Sequence, residues 1–238
     1  MRRKFLDRLV YGFDAAHAKR VSRYELAMRE RNRLLQTYGA QDVWFDSVEA
    51  QMAEIGAAIA FARQQAVEHI NAVMQMSELS FPKAHLELHG VVEQVVQQGL
   101  SATEVEEFYR DRLAECRAAD RQTGRSSIGV NRTEFLVTHL GKNMEAARCS
   151  TGEQKAMLLA IILAEARASA LWHGRVPVLL LDEVAAHLDP QKRIELFEEI
   201  DHLNVQAWMS GVSCDLFNKM HDNTVFYMVE GGECKQKM

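Results

Sequence analysis

An apolar segment of helix length, followed by an apolar strand that ends in two acids, constrains the fold of this chain more than any other feature. Residues 149–190 read CSTGEQKAMLLAIILAEARASALWHGRVPVLLLDEVAAHLDP. The pattern predicts a helix from about 151 to 172 that stops at His173-Gly174, where glycine takes the left-handed turn that ends a helix. Pro177 precedes a buried strand over 178–181, and Asp182-Glu183 close it. Asp189 is placed to cap a further helix with Pro190 in its first position, running to about 203. Residues 205–209 and 224–229 read as strands. Strand, helix, strand in that order argues for an α/β sheet. Ligands of such sheets sit beyond the carboxyl ends of the strands, where Asp182 and Glu183 fall.

The chemistry follows from those placements. Ser150-Thr151-Gly152-Glu153-Gln154 opens a long helix with small and polar residues, so free backbone N–H groups and a positive dipole end face an anion. Carboxylates at a strand end can hold Mg²⁺ through water and orient an attacking water. Together the two parts read as one half of a nucleotide-hydrolysing site. Taken singly each has a plainer reading: the first as a helix cap, the second as a strand end with two solvated acids.

The N-terminal half is helical by pattern. Val21, Tyr24, Met28, Leu35 and Tyr38 recur at spacings of three and four, with one gap at Arg31, which predicts a helix over about 15–38. Tyr38-Gly39-Ala40-Gln41 breaks it, and Asp42 can cap the next helix, predicted over 43–76 with a heptad-like seam of Val48, Met52, Ile55, Ile59, Ala62, Ala66 and Val73. Two long helices joined by a short break form an antiparallel hairpin. Residues 84–89 alternate like a short strand. Ser101 with Glu104 makes a capping box for a helix carrying Val105, Phe108, Tyr109, Leu113 and Cys116 on one face. Residues 121–131 are polar and glycine-containing, a loop and the best candidate boundary between domains. Residues 134–139 read as a strand.

Composition narrows the context. The chain has no run of about 18 apolar residues, so no transmembrane helix is expected, and its N-terminus lacks the apolar core of a signal peptide. Cys116, Cys149, Cys214 and Cys234 form no CxxC pair. Disulfides and zinc are therefore not expected, and a reducing cytoplasmic setting fits. The net charge is −5, but the sign is uneven. Residues 1–40 hold ten Lys/Arg against four Asp/Glu, a surplus of six that leaves the remainder at −11. That asymmetry points to an anionic partner for the first segment, with Arg2, Arg3, Lys4 and Arg8 as its candidate contacts. A solvated helix face with surplus arginine is the simpler account of the charge by itself.

The order of turn, helix of about twenty residues, linker, Asp-Glu strand and Asp189 resembles the C-terminal half of an ABC-type ATPase head, as in SMC and RecF proteins. Within that class the whole chain is similar to the RecF family of bacterial recombination mediators. CSTGEQKAMLLAIILAEA looks like its signature motif, and PVLLLDEVAAHLDP like its Walker B strand and D-loop. RRKFLDR and YELAMRERNRLL resemble the lead into its helical arm. Gly129-Val130-Asn131-Arg132 stands where the family usually has Gly-Pro-His-Arg.

The resemblance implies an α/β fold with a partial ABC-type ATPase head, its C-terminal lobe, behind an N-terminal α-helical hairpin arm. The arm would take residues 1–120 and the half head 121–238. It also implies that Asp182 helps bind Mg²⁺ and Glu183 polarises the attacking water. Ser150, Thr151, Gly152 and Gln154 would contact ATP held by a second subunit, and Asp189 would lie at the interface of an ATP-dependent homodimer. DNA at single-strand gaps, without sequence specificity, and mediators of the RecR and RecO type would be the partners, with no membrane. Two departures qualify this. No GxxxxGK[ST] occurs in the 238 residues; Gly141-Lys142 has no glycine at the upstream spacing and is followed by Asn143. A P-loop supplies the backbone nest and lysine that cradle phosphates. The chain is thus expected to be a C-terminal portion, from a split gene, an internal start or a truncated reading frame, and at most a weak ATPase when complemented. A non-catalytic protein- or DNA-interaction module and an inert gene fragment remain the alternatives. In addition, Val212 stands where the family usually has a Thr or His that senses the γ-phosphate. Absent strands should leave apolar surface exposed on the head.

Overall fold

Residues 2–37, 42–174, 176–184, 188–218, 220 and 224–237 are described by a computed structural model of the chain. Contacts group the elements into two units, Met1–Ser77 with Pro82–Arg175, and Glu78–Phe81 with Val176–Met238. The larger unit holds α1 (Arg2–Phe13), α2 (His17–Gln36), α3 (Asp42–Met76), β1 (Ala84–His89), α4 (Val91–Gln97), α5 (Ala102–Thr123), β2 (Glu134–His139), β3 (Met144–Glu145) and α6 (Thr151–His173). The break at residues 38–41 and the Asp42 side chain lie outside the described residues.

Helices α2 and α3 pack on one another as the periodicity requires, but α3 also serves α1, α4, α5, α6 and β1. Its buried surface is correspondingly wider than one seam. Met52, Ile55, Ile59, Ala66 and Val73 are buried, and so are Ala53, Ala57, Ala60, Val67 and Ile70 between them. Gly56 permits a close approach: a Cβ there would stand 2.6 Å from a ring carbon of Tyr109. The basic N-terminal segment forms α1, an element that sequence reasoning left unassigned. Leu6, Leu9, Val10 and Phe13 are its buried face, and their three- and four-residue spacing is the signal that was available. Strands β1, β2 and β3 form an antiparallel sheet in that order, with Leu86 opposite Val137.

The gap at Arg31 is filled by chemistry rather than by an apolar side chain. Arg31 is wholly buried and donates from Nε to Glu49 Oε1 (2.8 Å), from Nη1 to Asp120 Oδ2 (2.6 Å) and Ser126 Oγ (2.9 Å), and from Nη2 to the Leu113 carbonyl (2.8 Å). A second buried arginine, Arg63, grips Asp7 of α1 with two bonds of 2.9 and 3.1 Å, the Val130 carbonyl at 2.7 Å and Thr133 Oγ1 at 2.9 Å. Thr133 in turn donates to buried Glu93 at 2.5 Å. Helix α5 runs on to Thr123 and ends at Gly124, which is left-handed with φ 65°. The polar residues after it, expected as a loose boundary, are therefore pinned at both ends by buried guanidinium groups inside the larger unit. The capping box of Ser101 and Glu104 forms as its spacing predicts.

Helix α6 is apolar on all sides, the pattern of a helix surrounded by partners. It is long and apolar enough to span a membrane by length and composition, contrary to the expectation from single apolar runs, yet 61% of that window is buried within the fold. One carboxylate is half-buried with it. Glu165 faces Gly12 of α1 so closely that a Cβ on Gly12 would collide with the carboxylate. Burial pushes the Glu165 carboxyl up to about 7, from an ordinary value of 4.5. Between those values the folded chain keeps a proton that the unfolded chain has lost. This contribution to stability is therefore full below the unfolded value, falls as pH rises through the window, and is gone above the folded value. At 1.36 kcal/mol per unit the fall approaches about 3 kcal/mol. Glu165→Gln is expected to remove it, so the variant should gain on the parent between about pH 5 and pH 8 in paired denaturant titrations. An equal stability difference at both pH values would contradict the assignment.

The smaller unit contains β4 (Leu179–Leu181), α7 (Pro190–His202), β5 (Ala207–Met209), β6 (Phe226–Glu230) and β7 (Glu233–Lys237). Strands β4 and β5 are parallel, with α7 as the crossover, and Leu181 lies opposite Met209. Strands β6 and β7 form a separate hairpin. Leu196, Phe197 and Ile200 of α7 are buried, and Phe217 stands 6.2 Å from the Phe197 ring. Apolar side chains remain uncovered on this unit, among them Leu180 at 77% exposure, Val178 and Trp208.

Candidate functional site

The two parts of the predicted site fall in different units, and each is described by itself. In the larger unit, Ser150 is the N-cap of α6 in a full capping box. Its Oγ accepts from the Glu153 N–H at 3.4 Å and donates to Glu153 Oε2 at 2.9 Å, while the Ser150 N–H donates to the same carboxylate at 3.0 Å. Lys142 forms an ion pair with Glu153. That bond, followed by those from Ser150, holds the Glu153 carboxyl down at about 2. Both partners are solvated, so the pair contributes little to stability. Gln154 folds back, donating to the Cys149 carbonyl at 3.1 Å. Thr151 and Gly152 are exposed. The lysine rejected as part of a P-loop thus steadies the cap, a contact that no local spacing reveals.

Gly152 has no reason internal to the chain. A Cβ there would meet nothing within 4 Å, and its φ is not in the left-handed region, so alanine would fit. Glycine within a helix costs up to about 1 kcal/mol relative to alanine. Gly152→Ala is therefore expected to leave the isolated chain as stable or slightly more stable, by about 0.5 kcal/mol. A lowered melting temperature would show that the glycine serves this fold after all.

In the smaller unit the register of β4 and β5 assembles the acidic part. The Ser210 N–H donates to the Leu181 carbonyl at 3.1 Å, extending the ladder by one residue. The Ser210 hydroxyl then donates to Asp182 Oδ1 at 2.5 Å and accepts the Glu183 N–H at 2.9 Å. Glu183 takes a left-handed backbone, φ 50°, a conformation costing a non-glycine residue of order 1 kcal/mol and found where surrounding bonds impose it. Asp182 and Glu183 are both exposed at the carboxyl end of β4. Ser210 was missed as a site residue. Opposing Met209 to Leu181 places it beside Asp182, but that register cannot be read from either strand alone. Val212 is 83% exposed and apolar, so the polar contact at the end of β5 comes from Ser210, two residues earlier.

Asp189 caps α7, accepting the Lys192 N–H at 3.0 Å and pairing with Lys192 Nζ at 2.6 Å. These bonds lower its carboxyl pKa. Residues 185–187 of the expected D-loop lie outside the described residues. Among the described residues no cluster of three or more His, Cys, Asp or Glu could hold a metal. Asp182 with the Ser210 hydroxyl offers hard oxygen donors, which suit Mg²⁺ carried largely by water and phosphate rather than by an all-protein cage. Arg2, Arg3, Lys4 and Arg8 all lie on the exposed part of α1, and nothing in their placement brings them to either part of the site.

Comparison with known proteins places this geometry in a lineage. Residues 23–206 match the family described as "AAA domain, putative AbiEii toxin, Type IV TA system". The chain is 47% identical over 235 residues to the DNA replication and repair protein RecF of Brucella abortus (strain 2308), covering 98% of this chain and 61% of that protein. It is 41% identical over 233 residues to RecF of Rhizobium meliloti (strain 1021), covering 97% and 62%. The chain therefore spans about three fifths of the length of these relatives. Its fold matches a solved recombination mediator protein RecF bound to ATP, described as of the RecFOR pathway, with a TM-score of 0.79 at 21% identity, over 100% of this chain and 62% of the other. A second RecF structure gives 0.78 at 20% identity, over 99% and 62%.

Proposed function

Because the chain belongs to this AAA-domain family and is similar over nearly its whole length to RecF proteins, we propose that it is a portion of a RecF-type protein and supplies the completing half of an ABC-type ATPase site in a DNA repair and recombination mediator. Residues 1–120 act as the helical arm and residues 121–238 as the C-terminal half of the head, a division by lineage rather than by contact. In this reading ATP is gripped by a P-loop on a segment with GxxxxGK[ST]. Ser150, Thr151, Gly152 and Gln154 approach its γ-phosphate from a second subunit, and Asp189 lies at that interface. Asp182 binds Mg²⁺ through water, and Glu183 orients the attacking water. The metal neutralises charge developing on the phosphoryl group, and the residues of this chain position it. The whole protein acts in the cytoplasm as an ATP-dependent homodimeric clamp on gapped or duplex DNA, with mediators of the RecR and RecO type as partners, and helps load recombinase.

One observation carries this reading: Ser210 ties Asp182 to the Glu183 backbone at the mouth of a parallel βαβ unit, an arrangement that a mere strand end does not need. The open space around Gly152 supports contact with something outside the chain. Leu180 and Trp208, paired across β4 and β5, offer an uncovered apolar face on which a further element could pack. The second reading is a non-catalytic protein- or DNA-interaction module.

The experiment is to measure ATP binding and hydrolysis by the chain alone, then mixed with a P-loop-bearing N-terminal piece of a RecF protein. No activity alone and restored hydrolysis on mixing are expected. Robust hydrolysis by the chain alone would overturn the split-site reading, and inactivity of a mixture shown to associate would favour the interaction module.

A further inference from the structure

The larger unit carries a basic cleft of about 280 Å³ lined by Arg3 of α1, Met28 and Asn32 of α2, and Arg125, Ser126, Asn131 and Arg132 of the pinned segment after α5. None of these residues was read from the sequence as part of a site except Arg3. No carboxylate among the described residues pairs with Arg3, Arg125 or Arg132; Arg132 makes one bond, from Nη2 to the Ser126 carbonyl at 3.2 Å. The two amides are oriented by their own bonds. Asn32 Oδ1 accepts from the Ser126 N–H at 2.8 Å and from Ser126 Oγ at 2.9 Å, and Asn131 Oδ1 accepts from the Tyr24 hydroxyl at 3.1 Å. Their carbonyl ends are thus occupied, leaving N–H₂ donors. The acid nearest in the network, Asp120, is spent on Arg31 and on the Ser127 N–H.

The lining is consequently rich in donors and free of an unspent acid. Guanidinium forks match phosphate oxygens in geometry and charge. The volume lies near the lower end of the usual range for small-molecule pockets, of order 300–1,000 Å³, and is ample for a phosphate group. The cleft is also rigid at its base, since buried Arg31 holds Ser126 and buried Arg63 holds Val130 and Thr133. Arg2, Lys4 and Arg8 are exposed on α1 as well, outside the lining of the cleft.

We propose that this cleft seats a backbone phosphate of a nucleic-acid strand, with Arg3, Arg125 and Arg132 as its charged contacts. The proposal rests on the DNA-binding part of the function given above. The test is fluorescence anisotropy of the full chain with a labelled duplex and a labelled single strand, across a salt series. Arg125→Ala with Arg132→Ala is expected to weaken binding roughly tenfold or more at low salt, and to shrink the slope of log K against log salt by about 1 to 2. Arg3→Ala with Arg125→Ala should act similarly while leaving the Arg132 bond to Ser126 in place. These side chains are exposed, so melting temperatures should not move. Parent binding that neither pair changes would overturn the cleft alone. Failure of the parent to bind either nucleic acid at low salt would overturn the DNA reading and this proposal with it. Saturation by inorganic phosphate that both variants abolish, without any effect on DNA binding, would assign the cleft to a free anion and overturn the nucleic-acid source.

Discussion

Arg31→Ala is expected to lower the stability of the folded chain by about 3–5 kcal/mol, the usual effect of removing one partner from a buried charged network. Arg31 is inaccessible to solvent and supplies four bonds at once, to Glu49, Asp120, Ser126 and the Leu113 carbonyl. Its loss would leave the Asp120 carboxylate buried beside an unfilled volume. Glu49 is less exposed to this loss, because Arg117 also holds it, from Nη2 to Oε2 at 2.5 Å and from Nε to Oε2 at 3.0 Å. The deficit should therefore sit mainly on Asp120. Asp120→Asn in the Arg31→Ala background should recover part of the loss, whereas Glu49→Gln should recover less. Denaturant midpoints of the three variants check this. A loss under about 1 kcal/mol for Arg31→Ala would mean that water replaces the guanidinium. Because Arg31 also holds Ser126 at the base of the basic cleft, any folded remainder should bind DNA more weakly although Arg31 itself touches no ligand.

The same residue marks what the sequence could and could not convey. Periodic apolar residues located α2, α3 and α5, an apolar segment of helix length located α6, and Asp189 with Pro190 located α7; Ser101, Ser150 and Asp189 act as caps in the fold. Those signals are local, set by spacing within one turn or one helix. At position 31 the same reading yields only an interruption, since the partners of Arg31 lie 18, 82, 89 and 95 residues away. Residues 121–131 read as a loop for the same reason. Their composition is that of a loop, and the buried groups that fix them belong to helices distant in sequence. The signature and Asp-Glu blocks were legible because each is contiguous. Ser210 was not, because its value depends on which residue of β4 it opposes.

In a mixture that hydrolyses ATP, Glu183→Gln is expected to reduce turnover by roughly 10²- to 10⁴-fold, the range for removing a positioned acid–base group, while leaving ATP binding in place. The substitution is nearly isosteric, and the backbone bond that sets the left-handed turn comes from the Glu183 N–H to Ser210 rather than from the carboxylate. Geometry should survive and only the water-orienting group be lost, so the melting temperature of the chain should not change. Asp182→Asn should differ in kind. It removes the charge proposed to hold the Mg²⁺ water shell, so both Mg²⁺ dependence and turnover should suffer. Ser210→Ala separates positioning from chemistry. It leaves both carboxylates present but frees Asp182 and relaxes the turn at Glu183, so turnover should fall by about tenfold rather than be abolished, with a shift in the Mg²⁺ concentration needed for half-maximal rate. If Glu183→Gln and Ser210→Ala leave turnover untouched while the mixture remains active, the acids at the end of β4 are solvated strand-end residues, and the hydrolytic half of the proposal fails even though the family assignment stands.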